Sequence, residues 1–535
     1  MKKYILSAFG VAALLVTQSC KTDFDNDVAD VVVTSGEANF SRYVALGNSL
    51  TSGYRDNALY IDGQNESYPS MIAAQMKLAG GGEFTQPMMA DNNGGLFVSL
   101  PGVGNVQIQD TKLYIDTFVD GKPVIKNVNG NVSQNPLNNI YNASKPFNNL
   151  GVPGAKSFHL VAPNYGSPAG ILTGTANPYF ARFASSTSAS VLDDAMAQNP
   201  TFFSLWIGAN DVLSYATNGG TNSTTTGGVV TYTAATDQGA ANNNNPGTYR
   251  SNDISSPAVV GGSIKAVLDG LKSKGATKGV IANVPSITSI PYFTTVPYNA
   301  IPLDAAKAQS LNTSLYGPLK AILSAMGQGD RINLVVAGNN PVLIIDNTLN
   351  DLSAQLTAAL TANGVPAQQA QIIGKAFGKA RQAKSGELIL LPASKLLGLD
   401  ALTNQAPTAN SVFIYGASYP IGDNLSLTSS EVGKITAAVA AFNASIKSLA
   451  TTYNLAFFDA NAKMVELNSQ AGISWDGVKY SAKFVTGGTF SLDGVHLTGR
   501  GYAIVANEFL KAINTRYGSN LPWVDANKYS GVKFP

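Results

Sequence analysis

The chain has 535 residues, 35 basic and 33 acidic side chains, a formal net charge of +2, one cysteine and two histidines. Its length and 44% hydrophobic share suffice for one large elaborated domain or a core plus a cap, and the near-neutral charge gives no pull toward nucleic acid or anionic surfaces. A single cysteine excludes an internal disulfide, and two histidines with no Cys/His cluster imply no metal site.

The N-terminus reads as a lipoprotein signal. Met1-Lys2-Lys3 is a positive start, Tyr4 to Val16 is apolar but too short to span a bilayer, and Thr17-Gln18-Ser19-Cys20 follows. Residues 1–19 are therefore expected to be removed, with Cys20 lipidated and 20–40 serving as a tether. Loss of Lys2 and Lys3 leaves equal numbers of acids and bases. The acidic run Lys21-Thr22-Asp23-Phe24-Asp25-Asn26-Asp27 resembles an export signal of some Gram-negative surface lipoproteins, and a solvated linker has the same composition. The expected location is the bacterial cell envelope, lipid-anchored at the outer membrane, on either its periplasmic or its surface face. No later apolar run is long enough for a transmembrane helix.

Tyr43 to Leu46 reads as a short buried strand closed by Gly47, after which Asn48-Ser49 leads into a turn. A helix is expected at Tyr68 to Ala79. Alternating runs at 106–109 and 112–119, then Asp120-Gly121 and Pro123 to Ile125, predict a small β insertion over about 100–145 that walls a cleft. Asn148 to Leu150 is a strand followed by the turn Gly151 to Gly154. Thr201 to Ile207 is another strand, ending in Gly208-Ala209-Asn210-Asp211.

The Asn-, Gly-, Thr- and Ser-rich stretch of about 218–253 predicts a long mobile loop, with a lid as one of its possible roles. A helix from about Gly262 to Lys274 and a strand at Lys278 to Pro285 come next. Between that strand and the one at Leu455 to Asp459 lies an insert, mainly helical over 291–430, with helices at 303–326, 349–363 and 367–383. The stripe Leu349, Leu352, Leu356, Ala359 and Leu360 has core spacing, with an acyl-chain groove as the alternative. Helices at 430–453 and 497–517 close the chain.

Two features carry chemistry. Asp493-Gly494-Val495-His496 places an acid three residues before an imidazole, positions that share a face on a helical turn. A serine needs such a base to take its proton, and the base needs a partner to fix its tautomer. Ser49, at the carboxyl edge of a strand, is the candidate nucleophile. His159 lacks a nearby acid and reads as structural. Asn210 and the N–H groups of Gly154 and Ser49 are candidate oxyanion donors.

These four segments, in this order, resemble the sequence blocks of the SGNH hydrolase superfamily, the GDSL esterases and lipases. The resemblance matches Ser49 to the nucleophile, Gly154 and Asn210 to the oxyanion donors, and Asp493 and His496 to the acid and base. It implies a three-layer α/β/α flavodoxin-like core with a parallel sheet, in two parts at 41–290 and 431–535, and ester hydrolysis through an acyl-enzyme with no cofactor and no metal. The chain departs from the family pattern at Asn48, where the family has aspartate. The expected substrates are carboxylic esters of lipids or of acylated carbohydrates, and the expected partners include a membrane, through the lipid anchor, and no nucleic acid. A non-catalytic surface lipoprotein that binds glycans or a protein through the same fold is the reading from a different class.

Overall fold

The computed structural model describes residues 32–100, 102–119, 121–130, 135, 137–408 and 410–535; the signal, Cys20 and Asp120 lie outside them. Five short runs form one parallel sheet: β1 (Tyr43–Gly47), β2 (Asn149–Gly151), β3 (Phe202–Trp206), β4 (Gly279–Ala282) and β5 (Ala456–Phe458). Their order across the sheet is β5-β4-β3-β1-β2. β1 and β3 are buried at every position, as strands covered on both faces must be.

Six helices matter to the site: α1 (Ser49–Ser52), α2 (Tyr68–Leu78), α3 (Asn210–Thr217), α4 (Pro257–Ser273), α5 (Ser429–Thr452) and α6 (Gly499–Tyr517). Alternation along β3 sends Phe202 and Trp206 to one face, where Phe202 meets Tyr517 of α6 and Trp206 meets Tyr68 of α2 and Phe509 of α6. Phe203 points the opposite way, toward the side of Leu268 on α4, and α4 packs on α5. The architecture is α/β, with helix pairs on both faces of a parallel sheet. In this strand order the chain reverses direction across the sheet between β1 and β3, and the crevice outside their carboxyl ends is where such folds place ligands.

The β insertion is two hairpins, Leu96–Leu100 with Gly104–Gln109 and Leu113–Val119 with Lys122–Asn127, so it begins slightly before residue 100. The second hairpin buries Ile115 against Val485 and Leu492. Leu492 directly precedes Asp493, which places this insertion beside the acid and base.

The polar stretch of about 218–253 is not structureless. Thr221–Thr226 pairs with Val229–Ala234 around Gly227-Gly228, both in the left-handed region that a tight hairpin turn requires. Its base is tied by one buried carboxylate: Asp253 accepts from Asn222 Nδ2, Gln238 Nε2 and the N–H groups of Thr236 and Arg250. Low apolar content misleads here because side-chain amides, not apolar burial, supply the order.

The insert holds separate apolar clusters. Leu356 and Leu360 are packed with Tyr316, Leu319, Leu323 and Phe377, so this part of the leucine stripe is core. Three helix boundaries differ from the sequence pattern. The 303–326 segment splits into Ala305–Leu311 and Gly317–Ala325 around a widened turn at Asn312–Tyr316, next to Pro318, whose missing N–H frees a carbonyl one turn back. Helix 349–363 starts at Ser353, whose N–H and hydroxyl are held by Asp351. The 367–383 helix stops at Phe377, and Ala380–Gln382 instead pairs as a strand with Leu343–Ile345.

That strand carries Arg381, which is clamped between Asp346 at 2.7 Å and Glu387 at 2.6 and 2.7 Å with all three side chains nearly buried. Burial works against both carboxylates, but hydrogen bonds from Thr348 and Arg381 to Asp346, and from Arg381 and the Lys384 N–H to Glu387, hold them below the usual range. Such groups contribute stability above the unfolded carboxyl range, about pH 4, and lose it as pH falls through the lower folded values. Arg381→Ala is expected to cost about 3–5 kcal/mol at pH 7, because it strands two buried charges. Urea unfolding at pH 7 and at pH 3 checks this, with the gap to wild type expected to narrow at the lower pH.

Candidate active site

Gly47 ends β1 where the following turn folds back tightly. A Cβ there would lie 2.1 Å from Thr51 Oγ1 and 2.5 Å from the Trp206 carbonyl oxygen, so only glycine fits. Asn48 is buried, and its Oδ1 accepts the Leu50 N–H at 3.0 Å, capping α1. A neutral amide does that work as well as a carboxylate, and it brings no charge beside the next residue. Ser49 thus opens α1 with its Oγ 2.8 Å from His496 Nε2.

The acid and base do not sit on a helix, as their spacing suggested. Residues 493–496 form a turn ahead of α6, closed by the aspartate itself: Asp493 Oδ1 accepts the N–H groups of Val495 and His496, both at 2.8 Å. Its Oδ2 meets His496 Nδ1 at 2.9 Å and accepts the Asn57 N–H at 2.9 Å. Gly494 allows the turn, with φ of +71° and no room for a Cβ against Leu391 and the Tyr292 backbone.

Burial opposes ionisation of Asp493, yet the His496 ring and the N–H groups of His496 and Asn57 outweigh it and hold the carboxyl far below its usual range. An ionised carboxylate only accepts, so the proton of the neutral ring belongs on Nδ1. Nε2 then offers its lone pair to Ser49 Oγ.

The ends of β2 and β3 converge on the same rim. Gly154 lies in the turn after β2 at φ +82°, and Asn210 opens α3. Asn210 Nδ2 donates to the Ala155 carbonyl at 2.9 Å, which ties these two turns together. The amide carries a second N–H, with no partner among the described residues. Asp211, fully buried, reinforces the tie by accepting from the N–H and hydroxyl of Ser157 at 2.8 and 2.9 Å. Burial raises its pKa, against opposing contributions from Lys156 and the Ser157 N–H.

His159 belongs elsewhere. Its Nδ1 accepts the Lys156 N–H, its ring stacks on Tyr165, and burial with the Lys156 charge pushes its pKa down to about 3.

The GDSL-like Lipase/Acylhydrolase family model matches residues 320–509, about a third of the chain, including Asp493 and His496. That match supports the SGNH/GDSL hydrolase superfamily for the part of the chain that holds the acid and base. Neither a curated protein nor a solved structure matches it. The matched segment excludes Ser49, Gly154 and Asn210. It is the fold, in which β1 and β5 share one sheet, that brings Ser49 to His496.

The fold adds residues to the site that spacing does not reveal. Asp56 and Asn57 both adopt left-handed backbone, φ 52° and 60°, a conformation that Asp and Asn tolerate best among non-glycine residues. Their turn grips the acid loop: Asn57 N–H donates to Asp493, Asp56 Oδ1 accepts the Leu492 N–H at 3.1 Å, and Asp56 N–H donates to Ser491 Oγ at 3.0 Å. Tyr54 lies against the imidazole, ring centroids 4.7 Å apart. An Asp-Asn pair signals a turn in sequence. Nothing in sequence says that this turn faces a loop 436 residues away.

Proposed function

We propose that this hydrolase cleaves carboxylic esters through an acyl-enzyme formed on Ser49. Ser49 Oγ attacks the ester carbonyl while His496 Nε2 takes its proton. His496 then gives that proton to the departing alkoxide, and water repeats the sequence to release the acid. Asp493 orients the ring and stabilises the imidazolium. The N–H groups of Ser49 and Gly154 and the amide of Asn210 receive the developing oxyanion. The reading rests above all on the continuous chain Ser49 Oγ, His496, Asp493 at 2.8 and 2.9 Å, placed at the carboxyl ends of β1 to β3. The GDSL-like Lipase/Acylhydrolase match over residues 320–509 supports the same class of chemistry.

The proposed substrates are esters of lipids or of acylated carbohydrates, met in the cell envelope by an enzyme anchored through Cys20. Hydrolysis of p-nitrophenyl acetate, butyrate and palmitate by the chain from Lys21 onward tests both parts. Turnover well above that of His496→Ala is expected, and the preferred chain length separates short-acyl carbohydrate esters from lipids. Rates equal to the variant on all three esters would favour a binding role for the fold instead.

A further inference from the structure

The Gly154 N–H is presented by a β-turn, Val152-Pro153-Gly154-Ala155, closed by the Ala155 N–H donating to the Val152 carbonyl at 3.0 Å. With Gly154 at φ +82°, the turn is of type II. Its type I counterpart keeps the closing bond and differs by a flip of the central peptide, the one that joins Pro153 to Gly154. That peptide is trans, so its carbonyl and its N–H point in opposite directions. A flip would therefore put the Pro153 carbonyl oxygen where the Gly154 N–H now points, exchanging an oxyanion donor for a repelling lone pair.

The residues of the turn do not themselves forbid the flip. Proline at the second position suits both types, and glycine takes either sign of φ. The flanking hydrogen bonds do not oppose it either: the Val152 N–H donates to the Gly47 carbonyl at 3.0 Å, and Asn210 holds the Ala155 carbonyl. Among the described residues one hydrogen bond distinguishes the two states. Asn177 Nδ2 donates to the Pro153 carbonyl oxygen at 2.8 Å, from a buried side chain.

The Asn177 amide is fixed in orientation. Its Oδ1 accepts the N–H groups of Tyr179 and Phe180 at 2.9 and 3.2 Å, capping the short helix Pro178–Ala181, and its second N–H meets the Tyr165 hydroxyl at 3.1 Å. With the oxygen committed to two donors, the nitrogen has to face Pro153. The Gly154 N–H, on the other side of its peptide, has no acceptor among the described residues and is left for a ligand.

We infer, on the ester-hydrolase reading above with Gly154 as an oxyanion donor, that Asn177 is a positioning residue of the oxyanion hole. It locks the Pro153–Gly154 peptide in the orientation that aims the Gly154 N–H at the developing charge. Breaking the lock leaves Ser49, His496 and Asp493 in place, so substrate binding persists while stabilisation of the transition state falls.

Asn177→Asp and Asn177→Ser separate this role from simple capping. Aspartate and serine cap a helix about as well as asparagine does, so a purely capping residue predicts no loss from either. Neither presents an N–H to Pro153, because a carboxylate only accepts and serine ends one bond short. In the chain from Lys21 onward, with thermal unfolding to confirm the fold, each variant is expected to lose about 10²-fold in kcat on p-nitrophenyl butyrate, with KM within about 2-fold of wild type. A trifluoromethyl ketone gives a second readout. Ser49 Oγ adds to its carbonyl carbon, the C=O π pair moves to oxygen, and the serine proton passes to His496, so the inhibitor needs the same donors as the transition state. Its Ki should rise by the factor by which kcat/KM falls. Serine brings no buried charge, so Asn177→Ser decides the matter if Asn177→Asp fails to fold. Wild-type kcat in a folded variant, or a loss carried by KM with an unchanged Ki, would overturn the positioning role and leave the hydrolase standing. A wild type that hydrolyses none of the esters would instead remove the ester-hydrolase reading, and the positioning role with it.

Discussion

Ser49→Ala is expected to lower kcat/KM for ester hydrolysis by about 10³-fold or more while leaving the protein folded. Among the described residues the hydroxyl is the hydrogen-bond partner of His496 Nε2, with Oγ 2.8 Å away. Alanine removes the nucleophile but leaves the cap of α1 intact, because Asn48, not Ser49, supplies the capping oxygen. Residual turnover would come from the oxyanion donors acting on water. Steady-state kinetics on p-nitrophenyl butyrate, with circular dichroism to confirm folding, checks both halves. Loss of activity together with loss of fold would say instead that Ser49 is structural.

Asp493→Asn should cost about 10⁴-fold in kcat with a smaller change in KM. The two carboxylate oxygens now serve three backbone N–H groups and the imidazole N–H. An asparagine has one acceptor oxygen for these four donors, and its amide facing the ring would donate to Nδ1. The ring proton would then move to Nε2, where it meets Ser49 as a donor and cannot accept the serine proton.

The same residue gives a pH signature. Its folded pKa lies below the unfolded one, so it contributes stability above about pH 4 and loses that contribution as pH falls through the folded value. Wild type should therefore exceed Asp493→Asn in Tm at pH 7, and the gap should close in strong acid. A gap that does not change with pH would mean that the carboxylate is not ionised in the folded protein.

The parts legible in sequence are those set by local pattern. The runs at β1, β3, β4 and β5 are apolar and short between turn residues, and each became a strand of the sheet. The order of motifs along the chain carried the resemblance to the superfamily, although Ser49 and His496 are separated by 447 positions. Less legible was whatever depends on long-range polar contacts. Asp493 and His496 are close because the carboxylate caps its own turn, a geometry that the same spacing on a helix imitates. The polar stretch around 221–253 is ordered by Asp253, whose partners are spread over some thirty residues. Ala380–Gln382 looks helical by composition but pairs with a strand some forty residues earlier. The Asp56-Asn57 turn has no local signature, because what makes it matter comes from another part of the chain.

The most direct test of the catalytic account is reaction of the chain from Lys21 onward with a fluorophosphonate, followed by mass-spectrometric mapping of the adduct. A single phosphonylated residue at Ser49, absent in Ser49→Ala and formed far more slowly in His496→Ala, is the predicted result. No adduct at Ser49, or equal labelling with and without His496, would contradict it.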